Sequence, residues 1–226
     1  MKKVLLACVI LCCCLALFAA EENKATSRVR AAADVLNEIQ GAPDQGIPEE
    51  VLGSAACVAV VPSMLNGGFV FGARYGRGVA SCRTSKGWSA PVFFSVEGGS
   101  FGFQIGGQAV DLVMLVMNEN GMKNLLSSKF KLGGDASVAA GPVGRHAAAD
   151  TDWKMRAQIL SYSRARGAFA GVSLDGAVVR QDRDSTREFY GHMVPTETSL
   201  QGSVDSPQGA YPFQSSLAKW AKEAAK

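Results

Sequence analysis

Histidine is almost missing from this sequence. His146 and His192 are the two present, and neither stands at metal-ligand spacing from a carboxylate or thiolate. Combining them with Cys57 and Cys82 would require four distant residues to converge, so no metal site is assigned. Catalytic signatures are lacking too. There is no Gly-Lys-Ser/Thr phosphate loop. Gly76-Arg77-Gly78 lacks the third glycine, the following helix and the downstream acid of a dinucleotide site. Ser89 and Ser163 offer hydroxyls without an activating partner nearby in sequence. No catalytic residue and no cofactor is assigned, and the chain reads as a binder rather than an enzyme. Because distant groups can still converge, a lipid hydrolase is kept as the lowest-ranked alternative.

An excess of charge of one sign is also absent. The 23 basic and 20 acidic residues leave a net +3, which falls to +1 without Lys2 and Lys3. No global pull on nucleic acid is expected. The longest apolar run, residues 4–20, falls just under the roughly 18 to 20 residues of a permanent membrane-spanning helix. It follows Met1-Lys2-Lys3, meets Glu21-Glu22 and closes on Ala19-Ala20, which is the pattern of a secretory signal. The expectation is a signal segment over residues 1–20 and a single domain over 21–226. The protein is then exported, periplasmic or secreted, with a residual membrane anchor as the alternative. Leu5-Leu6-Ala7-Cys8 resembles a lipobox but leaves too short an apolar stretch before the cysteine.

Four of the six cysteines, Cys8, Cys12, Cys13 and Cys14, lie in that segment. Cys57 and Cys82 remain. They can pair in an oxidising compartment, or stand as two buried thiols, since Cys57 sits within the apolar run 55–61.

Ala25, Val29, Ala32, Leu36 and Ile39 recur at steps of four and three, which predicts an amphipathic helix ending before Gly41 and Pro43. From residue 57 to 116 the pattern becomes short apolar runs between glycines, at 57–61, 69–73, 79–83, 91–96, 101–105 and 109–116. That spacing predicts an antiparallel meander. Residues 118–129 have a helical composition. Asp175-Gly176 predicts a two-residue hairpin between 167–174 and 177–181. A short helix over 184–190 is expected to start at Asp184 or Ser185, and residues 213–226 form a last amphipathic helix. The fold class is α+β: a curved antiparallel sheet, barrel- or sandwich-like, with N-terminal, central and C-terminal helices.

Pro62-Ser63, Gly68-Phe69-Val70-Phe71-Gly72, Gly76-Arg77-Gly78-Val79, Gly87-Trp88-Ser89-Ala90-Pro91 and Gly102-Phe103-Gln104-Ile105-Gly106 form an ordered series. It continues through Leu132-Gly133-Gly134-Asp135-Ala136-Ser137, Ala140-Gly141-Pro142-Val143-Gly144-Arg145, Ser161-Tyr162-Ser163, the stretch 167–176 and Phe189-Tyr190-Gly191. Taken together the series resembles the SYLF domain family over about residues 25–217. The resemblance implies a lipid-binding module. Eukaryotic members are similar to phosphoinositide binders at membranes, some also binding and bundling actin, and bacterial members are exported. This sequence is identified as an exported, bacterial-type member. No Src-homology domain accompanies the match, and an exported protein would not normally meet actin.

Lipid contact needs basic groups for phosphates and an apolar face for the headgroup boundary. Three sets of residues offer this, of which Lys129 and Lys131, near Gly133-Gly134, are the third and weaker candidate. Lys24, Arg28 and Arg30 lie on the first helix, whose alternative role is packing on the sheet. Arg74, Arg77, Arg83 and Lys86, beside Tyr75 and Trp88, fall on glycine-rich segments read as consecutive turns, where arginine forks and freed amides suit a phosphate. Solvated loop charge is the bland alternative there. The leading reading is a peripheral envelope protein that contacts anionic phospholipid headgroups. A protein-interaction module without lipid binding stands second.

Overall fold

The computed structural model describes residues 23–42, 46–68, 71–101, 106–143, 157–165, 168–169 and 174–222. Residues 1–20, expected to be a signal segment, with their four cysteines, and His146 and the runs 102–105 and 170–173 lie outside the described residues.

Helix α1 (Lys24–Gly41) forms where the apolar steps predict it. Asn23 caps it, its side-chain oxygen accepting from the amides of Ala25 and Thr26 at 2.8 and 3.3 Å. All five apolar positions on its stripe are buried. After α2 (Glu49–Ser54) come β1 (Cys57–Gly68), β2 (Phe71–Thr84), β3 (Gly87–Trp88), β4 (Val92–Phe101) and β5 (Gly106–Val116). Then follow α3 (Glu119–Leu126), β6 (Lys129–Lys131), β7 (Val138–Ala140), β8 (Ile159–Ala165), β9 (Ala168–Phe169) and β10 (Val178–Gln181). Three helices close the described chain: α4 (Arg183–Tyr190), α5 (Thr196–Leu200) and α6 (Tyr211–Trp220).

The strands form one sheet in the order β6-β10-β4-β2-β1-β5-β8-β7, with β3 on β2 and β9 on β8. It is strongly curved, a half-barrel, and antiparallel except where β7 runs parallel to β8. Both faces of its centre are buried. Val58, Val60, Val79, Phe93, Val113, Leu115 and Leu160 meet Leu36 and Ile39 of α1 and Phe213 and Leu217 of α6. Their strand neighbours Ala59, Val61, Ala80, Phe94, Val96, Leu112 and Met114 point the other way, against Leu125, Phe130, Leu132 and Leu200. A fully buried Leu, Ile or Phe contributes about 1.5–3 kcal/mol, so these two layers supply the main driving force.

Several local features differ from the sequence expectation. The runs 69–73 and 79–83 belong to one strand, β2, because Gly76 and Gly78 relieve crowding instead of breaking it. A Cβ on Gly76 would stand 2.5 Å from Val61 Cγ1, and one on Gly78 2.5 Å from the Val60 carbonyl oxygen. The register of β1 shifts opposite them, between Val60 and Leu65. There Ser63 takes φ 49°, and its amide donates to Asp111 Oδ1 at 2.8 Å. Lys129–Lys131 is a strand instead of the end of a helix. Asp175-Gly176 does turn the chain, with Gly176 at φ 79°, yet it makes no two-strand hairpin: β10 pairs with β4 and β6, while β9 pairs with β8. The α4 cap is Asp182, ahead of both residues expected to fill that role.

Candidate functional site

The basic residues of α1 do not share one environment. Lys24 and Arg30 are exposed. Arg28 turns inward, its Nη1 donating to Ser185 Oγ at 2.7 Å and standing 3.7 Å from Asp182 Oδ2, with the guanidinium 5.9 Å above the Phe93 ring. Burial lowers its pKa, against the opposing pull of Asp182. Since the apolar stripe of α1 is spent on the core, a docked α1 has no apolar face left for a headgroup boundary.

The second set does not assemble into one cluster, and its members do not lie on consecutive turns. Arg74, Arg77 and Arg83 lie along the single strand β2, and Lys86 follows at its turn. At about 3.3 Å per residue, Arg74 and Thr84, where the strand ends just before Lys86, are some 33 Å apart along the strand direction. Alternation also sends Arg74 to the opposite face from Arg77 and Arg83. Arg74 is buried, its pKa lowered by burial against the influence of Asp175. Arg77 Nε donates to the Tyr75 hydroxyl at 2.9 Å and lies 3.4 Å from Asp182 Oδ2. These two partners, the hydrogen bond first, raise its pKa.

Arg83 is a bracket. Its Nε donates to the Ala55 carbonyl at 3.0 Å, its Nη2 to those of Gly53 at 3.1 Å and Ala221, and its Cζ lies 4.7 Å from the centre of the Trp88 ring. It thereby satisfies carbonyls left over at the ends of α2 and α6. Lys86 is exposed at the β2–β3 turn.

The residue that sequence reasoning missed is Asp182. It is buried, caps α4 by accepting from the Ser185 amide at 3.0 Å and hydroxyl at 2.8 Å, and draws Arg28 and Arg77 together. The Asp182-x-x-Ser185 spacing was its signal, masked by the acid and hydroxyl that follow. Cys57 and Cys82 are direct register partners on β1 and β2 and form a disulfide with S–S 2.05 Å. Met122 Sδ packs 3.2 and 3.7 Å from the two sulfurs. No group of three His, Cys, Asp or Glu suited to a metal ion occurs among the described residues.

Among the described residues two accessible surfaces stand out. One is an open cleft of about 560 Å³ between the β2–β3 turn and α6, lined by Lys86, Trp88, Asp205, Tyr211 and Gln214 among others. Gln214 Nε2 closes its floor by donating to the carbonyls of Trp88 and Ser89 and to Ser206 Oγ. The other is the part of the helical face of the sheet that α1 leaves uncovered. There Leu65 and Tyr75, partners across β1 and β2, are 62% and 44% exposed. Arg77 follows two residues along the same face with its side chain 44% exposed.

This is an α+β half-barrel domain whose two accessible surfaces carry cations beside aromatic or aliphatic side chains. Residues 97–220 match the family model described as Ysc84: Las17-binding protein actin regulator, and the chain belongs to that family. It is 34% identical over 196 residues to LAS seventeen-binding protein 3 of Saccharomyces cerevisiae, covering 85% of this chain and 42% of that one. To SH3 domain-containing YSC84-like protein 1 of Xenopus laevis it is 35% identical over 172 residues, 73% of this chain and 51% of the relative. The chain thus spans about half of these relatives or less. The resemblance read from the ordered glycine motifs and the family match agree.

Proposed function

We propose that this protein is a non-enzymatic peripheral module that binds anionic phospholipid headgroups. The observation that carries the reading is the uncovered sheet face, where exposed Leu65 and Tyr75 adjoin the half-exposed guanidinium of Arg77. Apolar side chains entering the headgroup boundary beside cations that meet phosphates are the two terms of interfacial binding. The proposal includes export directed by residues 1–20 and residence in the cell envelope. An N-terminus near Glu21, measured by mass spectrometry on protein recovered from cells, supports export; a retained Met1 opposes it.

Cosedimentation tests the lipid reading. The expected outcome is pelleting with phosphatidylcholine vesicles containing phosphatidylglycerol, little with phosphatidylcholine alone, and a loss of binding as salt is raised. Equal pelleting with both vesicles removes the electrostatic part, and none with either removes the reading. A second reading, contact with an actin-regulatory protein or actin itself, is favoured by the family description and by the name of the Saccharomyces relative. Pelleting with filamentous actin but not with vesicles selects it.

A further inference from the structure

Four strands far apart in sequence place a row of cations on the uncovered sheet face. Lys129 on β6 is the register partner of Arg180 on β10. Arg180 pairs in turn with Ser95 on β4, and Ser95 with Arg77 on β2. Register partners share a face, and strands lie about 4.8 Å apart, so the row from Lys129 to Arg77 is about 14 Å long. The next row along the strands runs Lys131, Val178, Glu97, Tyr75, Leu65 and Ala109. The row between the two, Phe130, Val179, Val96 and Gly76, points to the buried side, which fixes the outward direction of the cations.

Lys129 and Arg180 are exposed, and among the described residues neither makes an ion pair. Like charges set directly opposite on neighbouring strands cost stability. Lysine on an edge strand is a common guard against edge-to-edge aggregation. That guard does not require an arginine beside it on the inner strand β10. Along these two rows Lys129, Lys131 and Arg180 stand against Glu97 alone, so the β6–β10 side of the face is net positive, whereas Arg28 and Arg77 at the other side face Asp182, Asp184 and Glu188. A complementary anionic surface would relieve the repulsion.

We propose that this open half of the sheet is the membrane-docking face, with Lys129, Arg180 and Arg77 meeting phosphates and Tyr75 and Leu65 entering the headgroup boundary. The sheet then lies flat on the bilayer and α1 stays docked on the core. This rests on the lipid reading above and assigns it to residues outside the first helix.

The experiment uses phosphatidylcholine vesicles containing phosphatidylglycerol and four proteins: wild type, Lys129→Ala/Arg180→Ala, Leu65→Ser, and Lys24→Ala/Arg30→Ala. Each basic side chain near an anionic surface adds about fivefold, so the Lys129/Arg180 variant is expected to bind about 25-fold more weakly. Its melting temperature should be unchanged or raised, because a like-charge pair has been removed. Leu65→Ser should weaken the binding that survives at high salt, and the α1 variant should bind like wild type. Wild type that binds while Lys129→Ala/Arg180→Ala binds equally well overturns this assignment and leaves the lipid reading standing. Loss of binding confined to the α1 variant overturns it in favour of the helix. Aggregation of the Lys129/Arg180 variant without a change in vesicle affinity identifies the row as an edge guard only. Wild type that binds no vesicle defeats the function and the face together.

Discussion

Gly76 and Gly78 show how single atoms set the geometry around Arg77. Neither glycine has a positive φ, so conformational freedom is not the reason for them. Space is: at Gly78 an added methyl would meet the Val60 carbonyl at 2.5 Å and the Phe94 ring at 2.6 Å. A backbone carbonyl inside a sheet cannot swing aside as a side chain can. Gly78→Ala is therefore expected to destabilise the fold by about 1–3 kcal/mol, the usual cost of overpacking, read as a lower midpoint in urea unfolding. An unchanged midpoint would mean that the sheet relaxes there freely. With glycine facing the crowded side, each intervening residue faces outward, and that is how Arg77 reaches Asp182 and the open surface. The glycine-arginine alternation was visible in the sequence. Its meaning was not, because the obstacle is a carbonyl on another strand.

Among the elements, α1 was the most legible, since a run of apolar residues at helical steps needs no partner to be recognised. Strand β2 was less so: glycines that look like turn punctuation sit inside it, and reading turns there grouped Arg74, Arg77, Arg83 and Lys86 into a site they do not form. Hardest of all was the row of Lys129, Arg180, Ser95 and Arg77. It exists only through the pairing order of four strands: Lys129 stood out with Lys131 as a weak candidate beside Gly133-Gly134, but nothing local joins it to Arg180 or Arg77. The β1–β2 pair also carries the disulfide. Closing a loop with a sequence separation of 25 residues is expected to stabilise by about 3.5 kcal/mol on the chain-entropy model. Cys57→Ala/Cys82→Ala should lower the unfolding free energy by that order in denaturant titration. No loss at all would mean that the buried contacts of β1 and β2 hold the pair without it.

At the scale of the whole molecule, two buried tyrosines couple stability to alkaline pH. Burial raises Tyr190 to about 12, against the opposing effect of its Ser199 hydrogen bond, and pushes Tyr162 upward as well. Both folded values lie above the ordinary value of 10.0. The folded protein therefore holds these protons longer than the unfolded chain. Their contribution is complete below about pH 10 and is lost as pH rises through the folded values, by roughly 1.4 kcal/mol per pH unit for each tyrosine. Melting temperatures measured by circular dichroism should be flat near pH 8 and fall steeply above about pH 10. Tyr190→Phe, which keeps the ring but not the hydroxyl donated to the Pro91 carbonyl at 2.7 Å, should fall less steeply. Equal slopes for both proteins would remove Tyr190 from the explanation.

Strand β10 is wedged between β4 and β6, although it follows both in the chain. While the protein is being made, β4 keeps one bare edge until residues 178–181 leave the ribosome, with Phe94 and Val96 beside it still uncovered. The last fifth or so of the polypeptide is thus a keystone, and a nascent chain stalled before it would be a substrate for chaperones, with nothing yet in place to join β6 to the sheet.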